Sequence, residues 1–163
     1  MSDERKSFGQ IVLGWWTVNI GDRNSSQARA LAARLRRAGP VEALSERQVQ
    51  TLAKLLSVGP TQAEKLAGLV RILAEVRDHD TATLATRLGN DVFSDLRFQR
   101  LMRAHDGERD ALVRRAISMA DRRCNISALA KDIWDWDDKA RTRWCFHYYG
   151  ADAPSDLPKE PVQ

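Results

Sequence analysis

The chain has 163 residues, 43% hydrophobic and 29% charged, with a net charge of +4 and a pI near 9.4. At this length roughly 68–70% of the unfolded surface can be buried, so neither a disulfide nor a metal staple is needed. The two cysteines, Cys124 and Cys145, lack the spacing of a zinc site or redox pair and are expected as reduced thiols, while the moderate positive charge favours anionic partners.

Periodicity and capping residues predict helices almost throughout. Phe8, Ile11, Val12, Trp15, Trp16 and Asn19 recur at three- and four-residue spacing, the mark of an amphipathic first helix with an aromatic face. Its apolar run, Phe8 to Ile20, is interrupted by Gly14 and is too short to cross a bilayer, and no signal core follows the charged N-terminus. A cytoplasmic location without membrane contact is the expectation.

Asn24 with Gln27 resembles a capping box opening a helix to Ala38, which Gly39-Pro40 stops. Ser45 with Gln48 opens a helix ending near Gly59-Pro60, and Thr61 with Glu64 opens a longer one through Val76. A short helical piece covers Thr81 to Leu88. Ser94 caps a helix to Ala104, and His105-Asp106-Gly107 breaks it. Glu108 and Asp110 then fall in the first turn of a helix whose last turn is expected to hold Arg122 and Arg123, complementing the helix dipole at both ends. Asn125 or Ser127 opens the next helix, and Asp135 caps the last, from about Trp136 to Tyr149.

No alternating strand pattern and no internal repeat interrupts this series. The fold class is therefore all-α, a two-lobed bundle of about eight helices. The joint from Asp78 to Ser94 divides an N-terminal lobe (1–90) from a C-terminal lobe (91–150). The last segment, 151–163, has three prolines and little hydrophobicity and is expected to be disordered.

Catalytic constellations are weak. Cys145 and His147 lie two positions apart, which on a helix turns them about 200° from each other, so neither activates the other. His147 shares helical spacing with Trp136, Ala140 and Trp144 and reads as a core-edge residue. A metal site would need His79 or His105 as well. Asp135, Asp137 and Asp138 stand where carboxylates cap a helix, and no phosphate-binding Gly-rich loop or nucleophile motif occurs. An enzyme, a metal and a cofactor are not expected.

The arginines are more informative. Twenty of the twenty-six cations are arginine, whose planar forked donors match phosphate oxygens. Thirteen cations against nine acids in residues 1–90, and thirteen against thirteen afterwards, exclude a simple basic tail. Folding must gather the cations instead. Arg97, Arg100 and Arg103 sit away from Phe98, Leu101 and Met102. Arg114, Arg115 and Arg122 oppose Leu112, Ala116 and Met119. Lys139, Arg141 and Arg143 crowd the final helix, and Arg29, Arg34, Arg36 and Arg37 the second. Four such faces point to nucleic acid, whereas a single arginine is more often part of a solvated surface. The five tryptophans offer stacking platforms for bases, but Trp15, Trp16, Trp136 and Trp144 share stripes with other apolar residues, which favours core.

Several motifs in this order carry a family resemblance: Gly14-Trp15-Trp16, the run Ser94 to Ala104, Leu112 to Ile117, Ile126 to Trp136, and Arg141 to Tyr149. Over roughly Phe8 to Gly150 the chain resembles CasB, the small subunit of the type I-E CRISPR surveillance complex Cascade. The resemblance implies an all-helical, two-lobed, non-enzymatic subunit, present twice beside the guide-RNA-bound backbone subunits and the large subunit. Such a subunit holds the displaced DNA strand, lies near the guide RNA and stabilises the R-loop. The family's basic stripe would fall on Arg97, Arg100, Arg103, Arg114, Arg115, Arg141 and Arg143, and further on Arg34 and Arg37. Two alternatives stand beside this reading, a free-standing helical DNA-binding regulator and a helical protein-binding adaptor. The first needs a base-reading second helix that no helix pair here offers convincingly.

Overall fold

The structure, a computed structural model, describes residues 6–150. Expectations for the 151–163 tail lie outside the described residues. Among the described residues ten α-helices carry the fold, where about eight are expected, together with one two-residue strand pair.

Helix α1 (Phe8–Asn19) is opened by a reciprocal capping box, in which the Ser7 hydroxyl accepts from the Gln10 amide and the Gln10 side chain accepts from the Ser7 amide. It buries Val12, Trp15 and Trp16. The next three helices are α2 (Ser26–Arg37), α3 (Pro40–Leu44) and α4 (Arg47–Leu56). Ser25 rather than Asn24 caps α2, accepting from the Ala28 amide. The Gly39-Pro40 stop is also a start, because proline at the first helical position loses no hydrogen bond there. Ser45 accordingly ends α3 instead of opening α4.

A 3-10 turn, Pro60–Gln62, leads into α5 (Ala63–Leu73), so Thr61 and Glu64 form no capping box. Helix α5 is the central strut, with Leu66, Leu69, Val70, Ile72 and Leu73 all buried. Trp16 of α1 ties to this strut by donating from its indole nitrogen to the Leu73 carbonyl (3.2 Å), and Trp15 ties α1 to α4 through the Gln48 carbonyl (2.8 Å).

The remaining elements are β1 (Asp78–His79), α6 (Leu84–Leu88), α7 (Asp95–Arg103), α8 (Asp106–Met119), β2 (Arg123–Cys124), α9 (Ile126–Trp134) and α10 (Asp138–Tyr148). Strands β1 and β2 are parallel, Asp78 opposite Arg123 and His79 opposite Cys124. This pairing explains why Arg122 and Arg123 are not in the last turn of α8. The helix stops at Met119, Asp121 and Arg122 take left-handed φ values of 59° and 56°, and the Arg122 carbonyl accepts from the Arg77 and Asp78 amides.

Of the two residues offered, Asn125 and not Ser127 caps α9, and Asp137 rather than Asp135 caps α10, accepting from the Ala140 amide at 2.9 Å. That bond holds the Asp137 carboxyl below its ordinary value of 3.8. Helix α1 packs along α9, where a Cβ on Gly9 would lie 2.5 Å from the Ser127 hydroxyl. Glycine there permits the close approach. One continuous buried cluster runs from Val12 to Tyr148. No helix of the described residues is long and apolar enough to cross a membrane.

Candidate nucleic-acid interface

Helix α7 presents the clearest cationic face. Ser94 caps it by accepting from the Arg97 amide, and Asp95 in the first turn favours the positive end of the helix dipole. Phe98 and Leu101 are buried, Phe98 stacking on Tyr148 of α10 with centroids 3.9 Å apart. That anchorage leaves Arg97, Arg100 and Arg103 exposed. Arg97 reaches only the Met119 sulfur, and Arg103 has no acidic partner among the described residues. Arg100 meets Glu108 at 3.0 Å, but the two side chains are 64% and 51% exposed. A pair so wet contributes only about 0–1 kcal/mol and is readily exchanged for a phosphate.

The other candidate arginines divide into two kinds. Arg115 and Arg37 are exposed and without an acidic partner among the described residues. Arg114, Arg141, Arg143 and Arg34 are held. Arg114 bonds Glu75, which also takes Arg122 at 2.7 Å, and its other nitrogen donates to the Arg36 carbonyl at the end of α2. It thereby caps the negative end of that helix. Arg141 pairs with Asp138 at 2.7 Å and reaches the Met102 carbonyl.

Arg143 donates to Asp132, the one buried charged residue of the described core, at 2.8 Å, and the other oxygen of Asp132 accepts from the Trp144 indole at 2.8 Å. Arg34 binds Glu46 with two nitrogens, at 2.7 and 2.9 Å. The bond from Arg34 holds the Glu46 carboxyl below its ordinary value of 4.5 despite partial burial.

The aromatic residues are largely spent on packing. Trp15, Trp16 and Trp144 are buried. The Trp136 indole donates to the Ala104 carbonyl and its ring meets Trp144 edge-on at 5.2 Å. Trp134 packs on Phe8 and carries the Lys65 ammonium 4.4 Å above its ring. Among the described residues the tryptophans form no line of open stacking platforms.

Chemistry finds little support in the thiols and imidazoles. Cys124 is buried, and burial pushes its thiol up to about 12, far from the thiolate a nucleophile needs. His147 shares a hydrogen bond with the Thr83 hydroxyl at 3.2 Å. Among the described residues no group of three or more His, Cys, Asp or Glu side chains can hold a metal ion.

A second cationic region comes from residues far apart in sequence. A cleft of about 430 Å³ opens between α2 and the segment 74–77, lined by Arg23, Arg29, Arg36, Arg77 and Arg122 with Glu75 as its one carboxylate. The crowding of arginines on α2 hints at it in the sequence, but the contributions of Arg23, Arg77 and Arg122 depend on the turn before α2 and on the β1–β2 pairing.

Fold and surface together define an all-helical protein that displays uncompensated arginine on a rigid frame. The sequence model of the CRISPR-associated protein Cse2 family matches residues 31–149. The chain belongs to that family. A solved chain with the same fold comes from the crystal structure of E. coli Cascade bound to a PAM-containing dsDNA target, with a TM-score of 0.60 and 18% identity over 90% of this chain and 95% of that one. No curated protein matches the sequence.

Proposed function

We propose that the chain is a non-catalytic subunit of a CRISPR RNA-guided antiviral surveillance complex. In this reading it holds the displaced single DNA strand through its arginines and so stabilises the R-loop. Membership of the Cse2 family and the fold shared with a chain of a DNA-bound Cascade support the setting. The observation that carries the mechanism is the α7 face, where Arg97 and Arg103 stand exposed without a carboxylate partner among the described residues.

Exchange of a DNA duplex for a guide–target heteroduplex is nearly balanced in energy, so backbone contacts to the displaced strand tip it. Such contacts need charge and forked donors rather than a base-reading helix. The guide supplies sequence, and this subunit supplies sequence-blind electrostatics. Guide RNA, the backbone and large subunits and a second copy of the chain are the partners this role requires, and a separate helicase–nuclease acts on the opened strand. Leu96 and Tyr149, exposed where α7 meets α10, offer apolar contact to a neighbouring subunit.

The test has two parts. The purified chain should bind single-stranded DNA weakly and without sequence preference. Four to six engaged arginines give a slope of log K against log salt of roughly −3 to −4. In the assembled complex, Arg97, Arg100 and Arg103 changed together to alanine should leave initial target capture intact while shortening R-loop lifetime, most visibly at higher salt. A flat salt response, a preference for one duplex sequence, or equal lifetimes at two salt concentrations would each count against this reading.

A further inference from the structure

The arginine cleft between α2 and segment 74–77 differs from the α7 face in how its cations are held. Glu75, its one carboxylate, is already shared between Arg122 and Arg114. Arg23 is paired with Asp78 at 3.0 Å. Arg29, Arg36 and Arg77 have no carboxylate partner among the described residues. Two of them are nevertheless oriented: Arg36 donates to the Ala74 carbonyl at 3.2 Å and Arg29 to the Arg23 carbonyl.

A neutral carbonyl fixes a guanidinium without cancelling its charge, and each guanidinium has five donors, most of which stay free. Three uncompensated guanidiniums in one concavity, two of them preoriented, are complementary to adjacent phosphoryl groups. The remaining lining is aliphatic, Ile20, Ala32, Ala74 and Val76, with no aromatic face on which a base could stack.

We propose that this cleft is a phosphoryl-binding site, holding two or more adjacent phosphates of a single nucleic-acid strand without contacting its bases. The strand as the source of the phosphates rests on the function proposed above; the preference for phosphoryl groups does not.

Two probes separate these claims, a fluorescent 20-nucleotide oligothymidylate and inorganic tripolyphosphate, each offered to the full chain. The variants are Arg29→Gln/Arg36→Gln/Arg77→Gln, the milder Arg29→Gln/Arg77→Gln at two exposed positions, and Arg97→Gln/Arg103→Gln on α7. Thermal unfolding without ligand checks that each is folded.

At about −0.7 per phosphate, loss of three contacts should weaken oligothymidylate binding about 100-fold at 0.1 M salt and flatten the salt slope by about 2. The double cleft variant should lose about 25-fold by the same rule. Tripolyphosphate should displace the oligomer from the parent and raise its melting temperature, but not that of the cleft variants.

Stabilisation by tripolyphosphate that the cleft variants lose, with oligomer binding equal in all proteins, would uphold the phosphoryl site and make a free polyphosphate its occupant. Loss of oligomer binding in the α7 variant alone, with tripolyphosphate acting alike on all proteins or on none, would overturn the cleft and leave single-strand binding standing.

Discussion

Helices α7 and α10 look alike in sequence, each with a cluster of cations beside an apolar stripe, yet the structure uses those cations differently. Among the described residues the only acid that meets an arginine of α7 is Glu108, itself half exposed, so the charge of the face stays available to a ligand. On α10, Arg141 and Arg143 flank the buried stripe of Ala140, Trp144 and Tyr148. Arg143 reaches the buried Asp132, whereas Arg141 is held by its own partial burial and the Met102 carbonyl, its acid Asp138 being exposed. Asp132 is the decisive neighbour. Its carboxylate is buried and needs both Arg143 and the Trp144 indole, so Arg143 cannot leave for a phosphate without uncovering a charge in the core. An arginine serves a ligand or the fold according to how costly its acid is to abandon.

The contrast is broken most directly at Trp144. Trp144→Ala should cost about 3–5 kcal/mol in chemical unfolding, through the lost ring and the orphaned oxygen of Asp132. Arg97→Ala on α7 should stay within about 0.5 kcal/mol. Equal losses would mean that α7 is packed as α10 is.

A smaller effect is expected at Arg143. Arg143→Ala should cost about 1–3 kcal/mol, because Asp132 keeps only the indole as donor. Combined with Asp132→Asn, the same change should cost much less, since a neutral amide does not require the guanidinium. A full cost in both backgrounds would show that the stem of Arg143 matters through packing and its charge does not.

The smallest effect lies at Arg34–Glu46, an ion pair that is only partly shielded and therefore close to the α7 type. Because Glu46 titrates below its ordinary value of 4.5 in the folded state, its contribution is complete above that value and disappears as pH falls through the lower folded one. Unfolding of the parent and of Glu46→Gln should differ slightly at neutral pH and converge in acid. A difference that persists in acid would assign Glu46 a role other than its charge.

Much of the frame was legible in the chain. Ser94 caps the helix that the local pattern assigns to it, Asn125 is one of the two residues offered for α9, and the apolar stripes of α1 and α7 supply the buried residues of those helices. Errors of one or two residues arose where neighbouring polar residues compete for one cap, as with Asn24 and Ser25 or Asp135 and Asp137. Either side chain can satisfy a free helical amide, so the path of the incoming chain chooses between them. Gly39-Pro40 marks a helix end by local pattern alone, and α3 starts there as well because proline suits the first helical position.

The amino-acid sequence by itself determined an all-helical chain rich in arginine, since helical periodicity, caps and charge are local properties. Tertiary structure alone decided which arginines remain unpaired. The acids that bind Arg34, Arg114 and Arg143 lie 11 to 39 positions away, on other elements. The same holds for the arginine cleft, whose residues come together because Arg122 leaves α8 in a left-handed turn and its carbonyl takes the Arg77 amide. Charge compensation depends on distance in space, and only packing sets that distance.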